Sequence, residues 1–137
     1  MNRIHIALAN VRLPANLDES VRIAVRAIEE AAIGGADIIC FPECFVPGYR
    51  AIGRPVAPAN AELLERAWSE IADAAAKGCV AVVLGTERLA GDALIATALV
   101  INADGTRAGF RTRCRSTLLK KARTHRAPIA ASFTWVR

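Results

Sequence analysis

Three short apolar runs alternate with two stretches whose apolar residues return every three to four positions, and that order allows few architectures. Residues 3–10, Arg3-Ile4-His5-Ile6-Ala7-Leu8-Ala9-Asn10, read as a buried strand in which His5 is a satisfied structural histidine. Pro14 breaks the chain, and Asn16 can cap a helix from Leu17, with Asp18 and Glu19 favouring the dipole in its first turn. Val21, Ala24, Val25, Ile28 and Ala32 give that helix one apolar face, and Gly34-Gly35 ends it. Asp37–Phe41 is a second strand closed by Pro42, and residues 45–59 form a loop rich in proline and glycine. A second helix begins near Asn60 or Ala61, presents Leu63, Leu64, Ala67, Trp68, Ile71 and Ala75, and stops at Gly78. Cys79–Leu84 is the third strand. Ala93–Asn102 is a fourth, turned at Ala103-Asp104-Gly105 into Thr106–Phe110.

Alternation of this kind predicts an α/β layered fold, with an apolar sheet covered by helices. At 137 residues and 53% hydrophobic, the chain suits one modest domain and is too apolar for a disordered segment. The longest apolar run, Ala93–Ile101, is about half of the roughly 20 residues a spanning helix needs. The amino terminus lacks a long apolar core and a cleavage site, so no membrane partner and a cytoplasmic location are expected. Cys40, Cys44, Cys79 and Cys114 show no metal-ligand spacing; Cys40 and Cys79, set in apolar runs, read as buried reduced thiols. No metal and no cofactor are expected.

The charge is divided unevenly. Residues 1–110 carry all 13 acids and 10 basic residues, a net of −3, whereas residues 111–137 carry 8 basic residues and no acid. The pattern of strands stops at Phe110, and residues 111–126 read as basic and irregular. Two such compositions joined at one point suggest two origins: 1–110 as one part of a domain, and 111–137 as a tail foreign to it. A phosphate-gripping tail, making the chain a non-catalytic nucleic-acid module, is the alternative. It lacks aromatic interleaving before Phe133 and Trp135, so a nucleic-acid partner is not expected.

Functional groups in α/β sheets gather at the carboxyl ends of strands, and Glu43 stands there, after Phe41-Pro42. A carboxylate so placed, partly solvated and raised in pKa by burial, suits a general base, although a surface loop acid is the plainer reading. The segments Ile4–Asn10, Glu29-Glu30-Ala31-Ala32, Gly35-Ala36-Asp37-Ile38-Ile39-Cys40-Phe41-Pro42-Glu43 and Val82-Val83-Leu84-Gly85-Thr86-Glu87 lead to the Asn102–Gly105 turn. Together they resemble the amino-terminal part of the nitrilase superfamily of carbon–nitrogen hydrolases, over about residues 3–110.

The resemblance implies a truncated layer of an αββα sandwich, oligomeric in its intact form. It implies a Glu-Lys-Cys triad acting on a small nitrile or amide, with Glu43 as the catalytic base. The family lysine falls within a few residues of Phe110, where this chain has Arg111-Thr112-Arg113-Cys114-Arg115. Arg113 lies near its place, but a guanidinium does not replace a compact ammonium. The family cysteine lies beyond Arg137, and no motif supports Cys44 in its stead.

Read one base out of phase, with permitted codon choices, residues 111–137 become an acidic stretch opening Gln-Asp-Lys, which supplies a lysine three residues after Phe110. Some of this reading is forced: Trp135-Val136 must give glycine, and Lys120-Lys121 must give lysine or glutamate. The expectation is therefore an out-of-frame tail without a packed position, and a chain that is inactive as it stands.

Overall fold

The structure, a computed structural model, describes residues 3–112 and 131–136. Its elements run β1 (Ile4–Ala9), α1 (Leu17–Ile33), β2 (Ile38–Cys40), α2 (Ala61–Gly78), β3 (Ala81–Ala90), β4 (Ala93–Ile101), β5 (Arg107–Thr112) and β6 (Ala131–Val136). They form one six-stranded sheet in the order β5-β4-β3-β2-β1-β6. β1, β2, β3 and β6 are mutually parallel, and β4 and β5 add as antiparallel hairpin strands. The α/β class expected from the alternation is the one observed.

Local chemistry sets the helix starts. Asn16 accepts from the Glu19 N–H at 2.9 Å and Asn60 from the Leu63 N–H at 3.0 Å, so each helix begins where its cap residue stands. The two crossovers step the same way across the sheet, and right-handed connections therefore put both helices on one face. There α1 and α2 pack together, and the pairs Ala7–Ile39, Ile39–Val82, Val82–Ile101 and Leu84–Leu99 bring fully buried residues into layers beneath them. Each large apolar side chain so covered contributes about 1.5–3 kcal/mol. The alternate residues Ile6, Leu8, Ile38, Cys40, Val83 and Val100 are half-buried on the opposite face.

Four features depart from the sequence reading. β3 does not stop at Leu84 but runs to Ala90 and turns at Gly91-Asp92 directly into β4. Its polar residues are buried by distant partners: Trp68 Nε1 donates to Thr86 Oγ1 at 3.0 Å, and Arg50 closes over Glu87. Second, β5 continues past Phe110 through Arg111 and Thr112, because cross-strand pairing to Ala98 and Thr97 extends the ladder. Third, Ala131–Val136 pairs in parallel with β1 from Ile4 to Ala9, so the tail is not wholly without a packed position; β1 offers an edge that accepts a strand. Fourth, Cys79 is exposed, since α2 runs through Gly78 and places Cys79 at its left-handed cap (φ 52°).

The feature that positions Glu43 is a short excursion of the chain. β2 pairs with β3 through Cys40, and the Phe41 N–H still reaches Val83 O at 2.9 Å. The chain then departs at Pro42 and returns at Val46, whose N–H donates to Gly85 O at 3.2 Å and whose carbonyl accepts from Glu87 N at 3.2 Å. Cys44, with φ at 50°, turns the excursion back. The crossing is so close that a Cβ on Gly85 would lie 1.8 Å from Pro42 O and 2.8 Å from Glu43 Cα. Backbone on both sides leaves nothing flexible to yield. Gly85→Ala is therefore expected to lower the stability of the chain by about 3 kcal/mol, as overpacking does. Equilibrium urea unfolding measures it, and an unchanged midpoint would show that the excursion does not sit against β3.

Candidate active site

Glu43 stands on the excursion at the carboxyl end of β2, as the strand-proline sequence predicts. With Phe41 and Gly85 it borders a shallow cleft of about 400 Å³, whose walls come from Val83 on β3, Ala96 and Ala98 on β4, and Arg111 on β5. Glu43 is exposed rather than partly buried. The excursion carries it out of the β2–β3 ladder to the border of the cleft.

The sequence reading did not anticipate Arg111 in this cleft. Strand alternation explains its place, since Arg111 pairs with Ala98 and shares that residue's face. Arg113, read as nearest to the family lysine, lies outside the described residues, as does Cys114. A larger cavity of about 570 Å³ lies between the loop after β1, the loop before α2 and the two helix starts. Leu13, Pro47, Tyr49, Val56, Pro58 and Leu63 are among its walls, and Glu43 is not. The chemistry of Glu43 therefore belongs to the smaller cleft.

A second acidic residue stiffens the neighbourhood. Glu87 is 4% exposed, and Arg50 Nε donates to both of its carboxylate oxygens, at 2.9 and 3.0 Å. The same guanidinium donates to Val56 O at 3.1 Å and Ala57 O at 2.9 Å, tying the turn-rich loop to β3. Only the fold brings these partners together; nothing local in Gly85-Thr86-Glu87 announces Arg50. Thr86 Oγ1, which accepts from Trp68, donates in turn to Val46 O at 2.9 Å, fixing the point where the excursion rejoins the sheet.

Cys44 adjoins Glu43 in sequence but is not arranged as a nucleophile. It is buried, and burial first, then the negative charges of Glu87 and Glu43, push its thiol up to about 11 against the opposing charge of Arg50. Burial also raises the thiol of Cys40. A thiolate is what reacts, so both are poor nucleophiles near neutrality.

The fold and site define an α/β protein with a carboxylate, Glu43, at the end of a central parallel strand, bordering a cleft on the sheet. The carbon-nitrogen hydrolase family model matches residues 5–127, running past Phe110, and the chain belongs to that family. It is 30% identical over 117 residues to an aliphatic nitrilase from Rhodococcus rhodochrous, covering 76% of this chain and 32% of that protein. Over 116 residues it is 28% identical to an arylacetonitrilase from Aspergillus kawachii, covering 77% of this chain and 35% of that protein. The chain thus spans about a third of the length of these curated relatives. In fold it is similar to an amidase of Nesterenkonia sp. AN1 in complex with butyramide. That match has a TM-score of 0.69 at 22% identity and covers 85% of this chain and 44% of that one. Another structure of an amidase from Nesterenkonia sp. matches with a TM-score of 0.67 at 19% identity, covering 80% and 42%.

The thiols provide a test of the site. On alkylation at pH 8, peptide mapping should find Cys79 modified quickly and Cys44 slowly, with Cys44 accelerating only as the pH approaches about 11. A raised thiol pKa lowers the thiolate fraction at pH 8, which sets the direction. Equal rates for Cys44 and Cys79 at pH 8 would mean an activated thiol beside Glu43.

Proposed function

We propose that the chain is the amino-terminal portion of a carbon–nitrogen hydrolase of the nitrilase–amidase type, with Glu43 as the general base of a Glu-Lys-Cys triad. In the intact enzyme Glu43 takes the proton of a cysteine thiol, and the sulfur attacks the carbon of a nitrile or amide. The lysine ammonium stabilises the charge that develops on the substrate. For an amide, ammonia leaves and water then hydrolyses the thioester to the acid. The intact enzyme is on this reading a cytoplasmic homo-oligomer with a small-molecule substrate and no cofactor.

The observation that carries this reading is the place of Glu43. It sits on a backbone excursion held against β3 and faces a cleft at a strand end, in a chain matched to the family over most of its length. A carboxylate alone performs none of the remaining steps. Members of a catalytic constellation act as a unit, so the chain as it stands is inactive. We further read residues 111–137 as translated out of frame. The change from a net of −3 to a run of 8 basic residues without an acid at Phe110 supports this, as do the forced codons of the shifted reading. Residues 131–136 are compatible with it, because an open strand edge pairs through backbone groups that any sequence carries.

Purified chain, free of host hydrolases, should release no ammonia from a panel of aliphatic and aromatic nitriles and amides. Ammonia release that is abolished by Glu43→Gln would contradict the proposal.

A further inference from the structure

Arg88 is the unexplained charge of the sheet. Its guanidinium lies 5.2 Å over the Phe110 ring, and its Nη2 reaches Thr112 Oγ1 at 3.5 Å, the outer limit of a hydrogen bond. Its Nε is buried without a hydrogen-bond partner, and no carboxylate pairs with it among the described residues. Beside this contact Thr97, directly across from Thr112, is 7% exposed and its hydroxyl is also unpartnered. Arg107, by contrast, pairs with Glu65, and Arg50 with Glu87. A half-buried guanidinium answered by one ring face and one stretched hydroxyl contact, with no carboxylate, is incompletely compensated for its lost water.

In the shifted frame the codon at position 112 can supply a partner. Every threonine codon begins with the bases AC, and in the shifted frame these become the second and third bases of their codon. The product can only be Tyr, His, Asn or Asp, and it is Asp when the Arg111 codon ends in G. An aspartate there projects its oxygens further toward Arg88 than the threonine hydroxyl does.

We propose that Arg88 is a positioning residue of the site, one that pairs with an aspartate at position 112 in the shifted frame. The pair clamps the end of β5 to β3 on the helix-covered face. On the opposite face of the same strand Arg111 lines the Glu43 cleft, so the pair fixes the strand end that borders that cleft. Arg88 does not touch substrate; it fixes the strand that brings Arg111 to the cleft. The inference rests on the out-of-frame reading of the tail.

The test uses this chain, with Thr112→Asp, Thr112→Asn, Arg88→Gln and the Thr112→Asp, Arg88→Gln double variant. Thr112→Asp should raise the thermal midpoint by about 3 °C or more, Thr112→Asn by less, and the gain should vanish when Arg88→Gln is added. A paired aspartate has its pKa lowered on folding. Its gain is therefore complete above the unfolded value of about 4 and is lost as pH falls through the lower folded value. The gain from Thr112→Asn should not follow pH. Should Arg88→Gln not fold, Arg88→Lys serves, since it keeps the charge without the planar fork and must shrink the gain. No gain from Thr112→Asp, a gain independent of Arg88, or a gain unchanged at low pH overturns the proposal. The frame is read separately, from the DNA that follows an inserted base after the Phe110 codon. An early stop there condemns the out-of-frame reading and this assignment together, whereas a long open frame with a failed pair condemns Arg88's role alone.

Discussion

The rest of the site depends on one close approach, the crossing of the Pro42–Glu43 backbone over β3 at Gly85. No side chain fits between the two strands at that point, with Pro42 O only 1.8 Å from where a Cβ would be. The crossing lets the chain leave the ladder after Cys40 and rejoin it at Val46, so that Glu43 is presented from a short segment anchored at both ends. A carboxylate on such a segment is better fixed than one on a free loop. Such fixing suits the general-base role proposed for Glu43, since a base must meet its proton within hydrogen-bond distance.

Two distant contacts secure the anchors. Trp68 on α2 donates to Thr86, and Thr86 donates to Val46 O, so the helix layer and the return point of the excursion share one buried hydroxyl. Arg50 closes its fork on the buried Glu87 and on two carbonyls of the proline-rich loop, which joins that loop to the same strand. Removing one partner of such a pair leaves a buried charge unanswered, so the loop and β3 depend on each other. Both ends of the excursion that carries Glu43 are thus held by groups distant in sequence.

Much of this was legible in the sequence because it is local. Asn16 and Asn60 announce their helices, and Pro42 after an apolar run places Glu43 at a strand end. What was not legible depends on partners far along the chain. Thr86, Glu87 and Arg88 lie past Leu84, where the sequence reading ends the third strand, and Trp68, Arg50 and Phe110 cover them only in the fold. Arg111 looks like the start of an irregular tail until Ala98 pairs with it and turns it toward the cleft. Cys79 reads as buried from its apolar neighbours, but the helix runs one residue further than its glycine suggests. The exposure of Glu43 follows from the excursion, which no periodicity describes.

In the proposed function Glu43 is a catalytic base, and its lysine and cysteine partners belong to the shifted frame. The most direct test inserts one base after the Phe110 codon, expresses the continued frame, and measures ammonia release from nitriles and amides. The expected product turns over at least one of them and falls to near background with Glu43→Gln, because the thiol then keeps its proton. Activity that survives Glu43→Gln undiminished would contradict the role given to this residue, and with it the reading of the cleft as an active site.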